Sequence, residues 1–113
     1  MMTNPPHVYT DGDGRILDIS NAGAKILNVT PRGGQGRQLA YFIVHDRDQL
    51  VQQIEVASRG HAVVIETMFR PLERAPRGVI VRIRRVLENP AVELAWSFEI
   101  KGSDRESGTR RSR

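Results

Sequence analysis

Residues 91–100 read Ala-Val-Glu-Leu-Ala-Trp-Ser-Phe-Glu-Ile. Val92, Leu94, Trp96, Phe98 and Ile100 occupy every second position, with Glu93, Ala95, Ser97 and Glu99 between them. A period of two predicts a strand with one oily face and one face toward water. Burying five such side chains is worth roughly 1.5 to 3 kcal/mol each before conformational entropy is subtracted. Few other stretches of the chain carry that much driving force.

Two further strands are predicted just upstream, over 62–70 and 78–88. Pro71 and Pro76 bracket the first connection, and Asn89-Pro90 makes the second. A hairpin centred on Asn89-Pro90 sets Arg82, Arg84 and Val86 opposite Ser97, Ala95 and Glu93 on one face. Val79, Val81, Ile83 and Leu87 then share the other face with the oily set of the last strand. A turn near Arg74 brings Val63, Ile65, Thr67 and Phe69 to that same inner face. Three strands agreeing on the inside fixes the register, because a slip of one residue would turn every side chain over. Arg85 also falls on the inner face. It either snorkels to water at the end of the sheet or reads a carboxylate inside a pocket.

The N-terminal half supplies shorter elements. His7 to Asp11 is extended, Asp11-Gly12-Asp13-Gly14 is a tight turn, and Arg15 to Ser20 resumes as a strand. Ser20 or Asn21 caps a helix over Ala22 to Asn28, and Pro31 disfavours helix at Thr30. Residues 31–37 read as loop, and Leu39 to Val44 as a short helical turn. Asp46 and Gln49 fit a capping box for a longer helix with a Leu50, Ile54, Ala57 stripe, ended by Gly60.

The 113 residues suffice for one domain with one core, and the absence of cysteine excludes disulfides, thiolate metal sites and thiol nucleophiles. From Lys101 onward five basic and two acidic residues stand, against twelve and eleven before it. The basic character is therefore a tail property, which argues against the fold as a nucleic-acid binder. The tail itself would make only weak, salt-sensitive contacts. No apolar run approaches the roughly 20 residues of a membrane span, and the N-terminus lacks signal-peptide regions, so a cytoplasmic protein is expected.

Strand, Asp-Gly turn, strand, Asn-led helix, loop, longer helix and three antiparallel strands together resemble the PAS (Per-ARNT-Sim) sensory domain. The match rests on Thr10 to Leu17, Asn21, Ala24 and Leu27, Gly36-Arg37, His45-Asp46, Gly60 and the closing Phe98-Glu99-Ile100. Asn28 stands where the family usually has Gly, and Pro31 to Gln35 replace what is often a short acidic helix. The resemblance covers about residues 7–102. It implies an α+β fold, a five-stranded antiparallel sheet with short helices packed on one face. Residues 1–6 are then a lead and 103–113 a disordered basic tail or linker.

What the resemblance implies about function is a signal-sensing module passing a conformational change to an output partner or domain. A small ligand between helices and sheet would have Tyr41, Leu50 and Ile54 on one wall, with Phe69, Ile83, Trp96 and Phe98 on the other and Arg85 at hand. The plain reading of the same side chains is a close-packed core. Flavin photosensors of this fold need a Cys that is lacking here. Haem sensors use a His on the long helix, where residues 47–58 hold none. The cofactor is left unknown and no metal is expected. Asp11-x-Asp13 has Ile16 and Ala22 where a calcium loop needs Gly and Glu, and Gly33-Gly34-Gln35-Gly36 lacks the Lys-Ser/Thr of a phosphate loop.

The family's N-terminal flanking helix is not expected in the six residues before the first strand, two of which are Pro. The outer face, with Val64, Met68, Ile80, Val86 and Ala95 among its charges, is then predicted to pair with a second copy. No catalytic residue is assigned. The alternatives are a small ligand-binding enzyme using His45 or Arg85, and an interaction domain without a pocket.

Overall fold

The computed structural model describes residues 7–44 and 47–101. The lead 1–6, the His45-Asp46 approach to the long helix and the tail 103–113 lie outside the described residues. Strands β1 (His7–Asp11), β2 (Ile16–Ile19), β3 (Ile43–Val44), β4 (Val63–Phe69), β5 (Arg77–Leu87) and β6 (Glu93–Ile100) form one sheet. Its order is β2-β1-β6-β5-β4-β3, antiparallel throughout. Helices α1 (Asn21–Leu27), α2 (Pro31–Gly34) and α3 (Arg47–Ser58), with a 3-10 turn over Leu39–Phe42, complete the α+β fold.

The last three strands pair largely as the alternation requires. Val63 faces Ile83 and Ile65 faces Val81, while Arg82, Ile83 and Arg84 face Ser97, Trp96 and Ala95. Beyond Arg84 the register slips. A bulge between Arg85 and Leu87 sets Leu87, rather than Val86, opposite Glu93. One extra residue on one strand reverses the alternation past it. Leu87, expected inside, is accordingly 40% exposed.

Two further expectations are corrected. The sheet has six strands rather than five, because Ile43 and Val44 pair with Phe69 and Met68 beyond the 3-10 turn. Pro31 to Gly34 is a helical turn and not loop. The Thr30 side chain accepts from the Gly33 N–H at 2.9 Å, and Pro31 takes the first helical position, where its missing N–H costs nothing.

Local chemistry accounts for the other ends. Asp11 Oδ1 accepts from the N–H groups of Asp13 and Arg15, both at 2.9 Å, which closes the β1–β2 turn. Ser20 Oγ caps α1 through the Gly23 N–H and also accepts from the His7 N–H. Asn28 ends α1 in the left-handed conformation (φ 59°). Asn tolerates that region better than most residues, so it can stand where the resembled family has Gly. Its Nδ2 donates to the Leu72 carbonyl at 2.6 Å and ties α1 to the β4–β5 connection.

The core lies between the sheet and the helices. Val8, Leu94, Trp96 and Phe98 meet Val79, Val81 and Ile83 on the sheet side, and Leu27, Phe42, Leu50, Ile54 and Ala57 on the helical side. Leu50, Ile54 and Ala57 are the stripe that the helical spacing placed on one face of α3. Thr10 is the one buried polar side chain among the described residues. Its hydroxyl accepts from Trp96 Nε1 at 2.8 Å and donates to the Asp11 carbonyl at 2.9 Å.

Candidate functional site

Six of the side chains expected to wall an internal pocket come together. Leu50, Ile54, Phe69, Ile83, Trp96 and Phe98 all belong to the buried cluster. The Phe69 and Phe98 rings meet edge to face with centroids 4.6 Å apart. Such contact is what close packing looks like. Tyr41 does not join them. It is 65% exposed on the 3-10 turn, where it borders a shallow groove of about 240 Å³ with Arg70, Pro71, Leu72 and Glu73.

Arg85 stands at the edge of the core beneath the end of α3. Its Nη1 donates to the Ser58 carbonyl at 3.2 Å, and its Nη2 lies 3.5 Å from a Glu88 carboxylate oxygen. The cation thus sits at the negative end of the α3 dipole and satisfies a carbonyl that the helix leaves open. Gly60, at φ +101°, leaves room for it, since a Cβ there would come 2.9 Å from Nη2. These contacts hold α3 to the bulged end of β5. Arg85→Ala is expected to cost about 1 kcal/mol, read from the urea midpoint. No change in the midpoint would show that the contact is not stabilising.

The outer face of the sheet carries the expected apolar set. Val64, Met68 and Val86 are exposed, and Ile80 and Ala95 are partly so. Val44 and Leu87, 41% and 40% exposed, extend it. The pairing also arranges the charges in bands. Arg82 and Arg84 lie between Glu66 and Glu99 on one side and Asp11 and Glu93 on the other. Arg82 pairs with Glu99 at 3.0 Å, and Lys101 with Glu66 at 3.3 Å.

On this face lies a groove of about 560 Å³. The small outward side chains of β6, Ala95 and Ser97, form its floor. His7 and Tyr9 on β1 rise along one side, Arg82 and Arg84 on β5 along the other. The spacing of residues along the chain does not reveal this groove, because β1 and β6 are neighbours only after folding. A smaller space of about 450 Å³ lies between the Asp-Gly turn and α3, bordered by Asp13, Ile54, Glu55, Ser58 and Val92.

Among the described residues, no three His, Cys, Asp or Glu side chains are grouped to hold a metal ion. Nor is any helix among them long and apolar enough to cross a membrane.

No protein-family model and no curated protein sequence matches the chain. Solved structures do. The PAS domain of an HTR-like protein from Haloarcula marismortui superposes with a TM-score of 0.75 at 15% identity, over 87% of this chain and 82% of that one. PAS-B of Drosophila melanogaster Cycle, with bound ethylene glycol, gives 0.72 at 14% identity, over 84% and 98%. The PAS domain of nitrogen regulation protein NR(II) from Vibrio parahaemolyticus gives 0.66 at 14%, over 84% and 87%. With its curled antiparallel sheet and its helices on one face, this chain has the PAS fold.

Proposed function

We propose that the chain is a regulatory module of the PAS type that has no catalytic activity of its own, pairs with a second copy through its outer sheet face, and relays a signal by altering that pairing. The observation that carries this reading is the exposed set Val64, Met68, Val86 and Leu87 on a face where helices do not pack among the described residues. Exposed apolar patches of this kind mark interaction sites. The banded charges favour a second copy as the partner. A twofold axis displaced from the arginine band sets basic on acidic in both directions, which is the self-complementarity that such symmetry demands. Output then follows from a difference in affinity between paired arrangements, felt by whatever partner or domain is attached.

A ligand lodged between helices and sheet would have to displace the packed Phe69, Trp96 and Phe98 rings. Of the spaces described that need no such displacement, the one of about 560 Å³ is on the outer face. For an enzyme, Arg85 is a poor candidate because its guanidinium already holds a helix end. Sedimentation at high micromolar concentration is expected to show a dimer. Val64→Asp puts a carboxylate into the apolar patch and should weaken pairing by about tenfold or more, with an unchanged monomer fold by circular dichroism. A wild-type monomer at that concentration overturns the pairing.

A further inference from the structure

We propose that the groove over Ala95 and Ser97 is a binding site for a small organic acid, with its carboxylate against Arg84 and a flat apolar body across Ala95 toward Tyr9. The inference goes beyond the pairing and does not rest on it; ligand and second copy compete for the same face of the sheet.

The two sides of the groove ask for different things. The β5 side presents guanidinium groups, which donate hydrogen bonds and accept none. Arg82 is already engaged by Glu99 at 3.0 Å. The exposed side chain of Arg84 has no hydrogen bond or ion pair with any described residue. It stands directly across from Ala95, whose methyl group leaves space above the strand. A carboxylate fits this position because both of its oxygens can accept from one guanidinium fork.

The β1 side is aromatic. The His7 and Tyr9 rings meet edge to face with centroids 5.0 Å apart, and Tyr9 lies directly across Ala95 from Arg84. Arg84 and Tyr9 are thus two strand spacings apart, about 10 Å, with only a methyl group between them. That width matches an aromatic ring system bearing its acid at one end. The Ser97 hydroxyl on the floor can serve a second polar atom of the ligand. The volume, about 560 Å³, is in the range of small-molecule sites.

The test uses 2-naphthoate as the probe and its neutral isostere 2-naphthamide as the control, titrated into the isotopically labelled full chain and followed by amide NMR. Naphthoate is expected to give saturable shifts at Tyr9, Arg84, Ala95 and Ser97. Naphthamide should bind about tenfold more weakly or worse, because it lacks the charge that Arg84 reads. Arg84→Gln should weaken naphthoate by a similar factor, and Ala95→Leu should abolish the shifts by filling the floor. Both positions have exposed or partly exposed side chains, and the spectrum of each variant reports its folding. The proposal is overturned by absence of saturable shifts. It is equally overturned by equal binding of acid and amide, by indifference to Arg84→Gln, or by shifts centred on Leu50, Phe69 and Phe98. A second copy seated on the outer face covers this same groove, so the titration is made at a concentration where sedimentation shows monomer; a protein that stays monomeric throughout removes the proposed pairing and leaves this site standing.

Discussion

Trp96→Ala is expected to leave the chain barely folded. Trp96 is fully buried in the central strand β6, and removing a buried Trp costs about 3 to 5 kcal/mol in transfer and cavity terms. Domains of this size have about 5 to 15 kcal/mol in all. The indole also supplies the hydrogen bond to the Thr10 hydroxyl, which is itself fully buried. Circular dichroism during urea titration should show the midpoint collapsing toward zero denaturant. Trp96→Phe keeps most of the volume and removes only the N–H, so its loss should be smaller. Thr10→Val leaves the indole N–H unpaired in the core, at about 1 to 3 kcal/mol. Combining Thr10→Val with Trp96→Phe removes both partners, and the pair should cost less than the sum of the two single changes. Strict additivity would mean that the hydrogen bond is not formed in solution.

Gly23→Ala should destabilise the fold by about 1 to 3 kcal/mol through overpacking, although alanine is the better helix former by about 1 kcal/mol. Gly23 is buried on α1, and a Cβ there would lie 2.7 Å from the His7 carbonyl oxygen. That oxygen is backbone and already accepts from the Ser20 N–H at 3.1 Å. Relief therefore requires α1 to move away from β1, straining the Ser20 cap. Gly36→Ala is the informative contrast. No atom lies within 4 Å of a Cβ there, so its cost comes only from the positive φ of 85°. A Gly23→Ala protein as stable as wild type would show that α1 stands further from β1 than described.

How far the sequence could be read depended on how many residues repeated the same signal. In β4, β5 and β6 the alternation runs long enough for three strands to constrain each other, and Val63, Ile83 and Trp96 lie inside as the pattern requires. The bulge after Arg85 left no such mark, because Val86 and Leu87 are both apolar and either could have continued the inner face. Strand β3 has only two residues, Ile43 and Val44, too few for any period to show. At Pro31 the residue that ends one helix also starts the next, and Thr30 ahead of it was the available signal. The outer groove is a different kind of omission. Its two sides come from residues about 75 positions apart, and only the strand order brings His7 and Tyr9 beside Ala95 and Ser97.

The same strand order has a mechanical consequence. β1 begins beside Ser97, and β6 ends three residues later at Ile100. A tether leading into His7 and one leaving Lys101 therefore depart toward the same end of the sheet, about 5 Å apart across the strands and about 13 Å apart along them. Sliding β6 along β1 by two residues, the smallest step that keeps each side chain on its own face, would shear those tethers by about 7 Å. Any neighbour attached at that end would feel the displacement directly, with no need for the helical layer to move.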